Sequence, residues 1–284
     1  MKAKSKKPFK AIVFCAMVVN CVFGVDNSSL YAKDFPKHYK TYGVVYLVDR
    51  DTSDRLMSYA GGVLREKILT YGITDALNRT NLPHITVLHI HTQDSTTPQK
   101  MLSILLQNKL PKPFSLNLKG FGFVKASKDS AFPWWFDINV EHTLGYEDIM
   151  EFNELATTLI APLRDSPLPR VSGSIYANSS KEARGQIEDF GVNGVNRTIN
   201  GEKQWLHRPH ITLSYSMQNL NPKLEAELKA LADELNKDFD KGLKATFDSV
   251  SIVELGVSGN VLREIYRINL QNKHYKDIAK SLQE

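Results

Sequence analysis

The tetrapeptide Pro-His-Ile-Thr occurs twice in this chain, as Pro83-His84-Ile85-Thr86 and as Pro209-His210-Ile211-Thr212. Each copy opens a run rich in β-branched and apolar residues, 84–90 and 210–215, which predicts a strand begun by a proline. Each run is followed by a capped helix start, Thr97-Pro98 in one place and Asn221-Pro222 in the other. A chain that repeats so specific a segment in the same order of elements is an internal duplication. That constrains the fold more than any composition figure.

The rest of the pattern agrees. Residues 42–48 (YGVVYLV) predict the first strand, and Met57, Ala60, Leu64 and Ile68 recur at helical spacing, weakened by Gly61 and Gly62. Phe114, Leu116 and Leu118 alternate as a strand. The second pass starts at 135–140 (WFDINV). It continues with Ile149, Phe152, Ala156 and Leu159 on one helical face, ended with the help of Pro162. After the 210–215 strand, Leu224, Leu228, Leu231 and Leu235 line a helix, and strands near 247–255 and 262–270 close the unit. The expected architecture is α+β, with two pseudo-symmetric lobes of antiparallel sheet around a central cleft. The lobes are placed at about 41–130 and 131–270 of a single bilobal domain, 41–284. Residues 165–204 are polar and poorly periodic, and read as an inserted loop.

Residues two apart on a strand share a face. His84 and Thr86 therefore point together, as do His210 and Thr212, while Ile85, Val87, Ile211 and Leu213 point to a core. By the same alternation His89 and His91 face away from His84, and Tyr215 shares the core side with Ile211 and Leu213. Two imidazoles and two hydroxyls suit a scissile phosphodiester. A neutral imidazole deprotonates the attacking oxygen, a protonated one supplies the leaving oxygen, and the hydroxyls donate to the non-bridging oxygens. This chemistry requires no metal.

With the motifs HITV and HITL, the chain resembles the two-histidine (2H) phosphoesterase superfamily, in particular its 2′-5′ RNA ligase and cyclic phosphodiesterase branch. The likeness runs from about Tyr42 to Leu270, including LKGFGFVKA between the halves and LGVSGNVLREIYRINL near the end. The resemblance implies His84 and His210 as the acid–base pair and Thr86 and Thr212 as phosphate contacts, with no cofactor. It implies a nucleotide or RNA bearing a cyclic phosphate or a 2′-5′ linkage as partner, and a monomer. Two rivals use the same residues differently: a nucleotide- or RNA-binding module without turnover, and a metal-dependent hydrolase built on His89 and His91. Against the second, an H-x-H pair with no third ligand nearby falls short of a metal site. Trp134, Trp135, Trp205 and Tyr215 could stack a base, and read first as aromatic core. Arg208 reads equally as a phosphate contact and as an exposed strand end.

The formal net charge of +5 suggests nucleic acid only until it is located. Lys2, Lys4, Lys6, Lys7 and Lys10 supply it, and an apolar stretch, 11–25, follows them. The length fits a signal peptide, 1–24, cleaved after Gly24 ahead of a linker at 25–40, and the expected destination is secreted or periplasmic. Both cysteines, Cys15 and Cys21, lie in that leader. A cleaved chain would hold no disulfide and no thiolate nucleophile.

Overall fold

The computed structural model describes residues 39–73, 82–125, 134–165, 180–216, 218, 220–256 and 259–282. The leader, most of the linker and both cysteines lie outside them. Among the described residues, no helix is long and apolar enough to cross a membrane.

The first half runs β1 (Lys40–Leu47), α1 (Arg50–Arg55), a π-helical turn (Leu56–Ala60), α2 (Gly61–Leu69), β2 (His84–Thr92), α3 (Thr97–Gln107) and β3 (Phe114–Lys125). The weak glycine pair thus falls where the helix changes its winding, just after the π turn. Asp49 starts α1 by accepting from the Thr52 amide at 2.9 Å. Thr96, one residue earlier than expected, stands at the cap position of α3, with Pro98 in the first turn.

The second half runs β4 (Trp134–Val140), α4 (Tyr146–Ile160), α5 (Lys181–Phe190), β5 (Asn196–Ile199), β6 (Glu202–Trp205), β7 (His210–Ser216) and α6 (Pro222–Asp238). It ends with β8 (Leu243–Phe247), β9 (Ser249–Leu255), β10 (Val261–Asn269), β11 (Tyr275–Asp277) and α7 (Ile278–Ser281). Asn221 caps α6 by accepting from the Leu224 amide at 2.9 Å, and Leu224, Leu228, Leu231 and Leu235 are all buried. The expected inserted loop carries structure of its own. Ser180 caps α5, and β5 and β6 form a hairpin. Its helix buries only Gln186 and Ile187, too little apolar surface to show as a stripe.

Both large sheets are antiparallel, in the orders β11-β10-β9-β1-β2 and β7-β4-β3-β8. They cut across the lobe boundary expected near residue 130. Each motif strand is an edge strand beside the first strand of its own half, but the next position is filled from the other half: β9 beside β1, and β3 beside β4. β3 crosses by pairing with β4, and β9, itself paired with β10, crosses by pairing with β1. Each sheet therefore requires both halves of the chain. Ile85, Val87, Ile211 and Leu213 join one large core, while Val45, Val253, Leu255 and Val261 form a smaller cluster.

Candidate active site

The two Pro-His-Ile-Thr copies are held alike. Pro83 accepts from the Val48 amide and Pro209 from the Val140 amide, both at 3.4 Å. Neither proline has an N–H to offer, which costs nothing at the start of an edge strand. Two residues back from each histidine a backbone carbonyl meets the ring. Leu82 O lies 2.7 Å from His84 Nδ1, and Arg208 O lies 2.7 Å from His210 Nδ1. A carbonyl can only accept, so each Nδ1 carries a hydrogen. In the neutral rings Nε2 is then the nitrogen with the lone pair, the atom a general base needs, and at His84 the Gly259 backbone also bears on the ring. β2 and β7 lie against each other, and the charge of His210 disfavours protonation of His84.

Both motif strands carry a β-bulge at the same step, three residues after the histidine. In β2 the register passes from Val45↔Thr86 to Val44↔Leu88, skipping Val87. In β7 it passes from Asp137↔Thr212 to Phe136↔Ser214, skipping Leu213. A one-residue insertion reverses the alternation of everything beyond it. The expected faces are corrected accordingly. His89 and His91 come round to the side of His84 and Thr86, where Thr41 Oγ1 lies 2.9 Å from His91 Nδ1. Tyr215 comes round to the side of His210 and Thr212. There it lies nearly parallel to Trp135, with ring centroids 6.4 Å apart. Trp134 is fully buried, as expected. Trp205 is half-buried, donates to Glu154 Oε2 at 3.1 Å and carries the Lys203 ammonium over its ring. Among the described residues, no group of three or more His, Cys, Asp or Glu side chains could hold a metal ion.

The threonines differ. Thr86 is half-buried, and no hydrogen bond involves its hydroxyl among the described residues. Thr212 donates to Asp137 Oδ1 at 2.8 Å. Asp137, on β4, is 3% exposed, and its Oδ2 lies 4.0 Å from His210 Nε2. Burial pushes its carboxyl up to about 6, partly offset by His210 and the Thr212 hydrogen bond. The His84 ring is held below its ordinary value first by burial and then by His210, against the opposing influence of its Leu82 carbonyl bond. A third imidazole stands close by. His207 donates through Nδ1 to Gly194 O at 3.1 Å, its Nε2 is buried without a partner among the described residues, and burial lowers it to about 4.

A buried amide relay ties the two motif strands together. Asn153, on α4, donates to the carbonyl of the bulge residue Val87 at 2.5 Å, and its Oδ1 accepts from the Asn196 amide at 2.7 Å. Asn196 Oδ1 in turn accepts from the His207 amide at 2.8 Å, and its side-chain nitrogen donates to Met150 O at 2.9 Å. The inserted α5 and hairpin thus fasten the segment that leads into His210. Asp137, Asn153 and Asn196 are the site residues that sequence reasoning missed. The available signal for Asp137 was a single carboxylate in an otherwise apolar and amide-bearing strand.

No family model matches the chain, and no curated protein does. Among solved structures it is similar to TT0787 of Thermus thermophilus, with a TM-score of 0.45 and 14% identity over 82% of this chain and all of that one. It is similar to E. coli LigT in its apo form, with a TM-score of 0.40 and 10% identity over 82% of this chain and 99% of that one. It is also similar to Usb1 of Kluyveromyces marxianus, with a TM-score of 0.38 and 9% identity over 78% of this chain and 96% of that one. At that level of similarity the likenesses do not decide the chemistry.

Proposed function

We propose that this chain is a two-histidine phosphoesterase that opens a 2′,3′-cyclic phosphate or cleaves a 2′-5′ linkage in a nucleotide or RNA end. The observation that carries the proposal is the matched tethering of His84 and His210. Both rings sit on adjacent edge strands with Nδ1 tied to a carbonyl, so Nε2 is the nitrogen each offers for proton transfer. In the reaction one Nε2 takes the proton of the attacking water as its oxygen bonds to phosphorus. The protonated Nε2 of the other gives its proton to the oxygen whose bond to phosphorus breaks. Thr86, with its hydroxyl uncommitted, is the ready donor to a non-bridging oxygen. Thr212 reaches the phosphate only by exchanging its bond to Asp137. The paired rings of Trp135 and Tyr215 suit a nucleobase, because aromatic faces stack on any base. Export through the lysine-rich leader belongs to the same reading. The test is hydrolysis of the four 2′,3′-cyclic nucleotides and of 2′-5′ dinucleotides, with and without EDTA. Turnover that survives EDTA is expected. Loss of turnover on chelation would replace this mechanism by a metal-dependent one.

A further inference from the structure

The two motifs are tethered alike but face different neighbours: Leu47 and Val45 stand opposite His84 and Thr86, whereas Asn139 and Asp137 stand opposite His210 and Thr212. Val45 belongs to the small apolar cluster and is fully buried. So one motif has a hydrocarbon beside its threonine and the other a carboxylate. We infer that Asp137 is the positioning residue that breaks the symmetry, holding the proton on His210 and thereby making His210 the general acid and His84 the general base. The inference rests on the phosphoesterase reading for the word acid, but the proton placement does not.

The groups around the two rings agree with this assignment. His84 is 8% exposed, and among the described residues no carboxylate acts on it. The charges it senses are those of His210, which opposes its protonation, and of backbone carbonyls. Facing His210 are Asp137 from β4, His84 from β2 and His207 from the preceding segment. The two imidazoles repel a proton on His210, and Asp137 is the group that favours it. Thr212 completes the arrangement. Its hydroxyl donates to Asp137 Oδ1, Trp135 also hydrogen-bonds the carboxyl, and Oδ2 lies 4.0 Å from His210 Nε2. Above about pH 6 the carboxyl is ionised, so the charge is present at neutral pH.

The test uses the full chain with Asp137→Asn, which keeps an oxygen for the Thr212 hydroxyl and removes the charge. Ring signals of ¹⁵N-histidine report each proton without any substrate. In the variant, the His210 ring should give up its proton at a lower pH than in the parent. Where the parent is active, the alkaline limb of its kcat/KM profile should move the same way, while the acid limb stays in place. A residue that only braces the fold would move neither. An unmoved His210 titration overturns the role of Asp137 and leaves the phosphoesterase reading untouched. Turnover whose alkaline limb ignores Asp137→Asn overturns the assignment of His210 as the acid. A parent that turns over none of the phosphodiesters fails the functional reading, while the ring titration still decides Asp137.

Discussion

Asn153→Leu removes the centre of the amide relay while keeping the side chain's size. Asn153 is 1% exposed, and its amide satisfies two buried backbone groups, the Val87 carbonyl and the Asn196 N–H. Leucine can serve neither. An abandoned buried polar group costs about 1–3 kcal/mol, so two cost about 2–6 kcal/mol, of which leucine's greater apolarity returns a part. A net loss of about 3 kcal/mol is expected. For an ordered body of this size, each kcal/mol lowers Tm by about 2–4 °C, so the variant should melt roughly 10 °C below the parent. Thermal unfolding followed by circular dichroism measures this. Glu151→Ala on the same helix is the control. Glu151 is largely exposed, and its ion pair with Lys203 is long, at 3.9 Å. Its removal should stay within about 0.5 kcal/mol. If Asn153→Leu melts within about 1 °C of the parent, the relay does not hold the two motif strands together.

Two further predictions concern pH. The His207 ring is lowered from 6.5 to about 4, so the unfolded chain binds the proton more readily. Stability should fall as pH drops from about 6.5 toward 4, by about 3 kcal/mol from this residue. His207→Asn should flatten that part of a urea-denaturation series, and an unchanged slope would remove His207 as its source. Asp137 has the opposite sign. Its carboxyl is raised from 3.8 to about 6, so its favourable contribution is complete below 3.8 and is lost as pH rises through 6. Asp137→Asn should therefore be more stable than the parent at pH 7.5, by about 2–3 kcal/mol, and the two should converge near pH 3. Equal stabilities at pH 7.5 would mean that the buried charge is not costly there.

The motif strands and the capped α6 were legible because they rest on local signals: alternation, a proline before each histidine, and Asn221 before a leucine stripe. What was not legible depends on pairing. Val87 and Leu213 are apolar and read as ordinary core residues whether or not the ladder skips them. Nothing local therefore announced the bulges that bring His89, His91 and Tyr215 to the histidine faces. Asp137 gains its meaning only from the register that sets it opposite Thr212. The strand exchange between halves is likewise a choice of partners, since β1 pairs with β9 and β3 with β8 over long sequence separations. In the insertion, Gln186 and Asn196 replace an apolar core with buried amides. Gln186 accepts from the Gly194 and Val195 amides and donates to Val195 O, a pattern invisible to hydrophobic periodicity.

The central claim is that His84 and His210 are the two proton carriers of a phosphodiester cleavage. Its most direct measurement is the rate on a 2′,3′-cyclic nucleotide for the parent, His84→Ala, His210→Ala and the double variant. Each single substitution should lower turnover by roughly 10²–10⁴-fold, the usual worth of one general acid or base. The double variant should lose less than the two single losses multiplied together, because the two groups serve one step. A double variant that opened the ring at the parent rate would contradict the account and leave the paired histidines without a catalytic part.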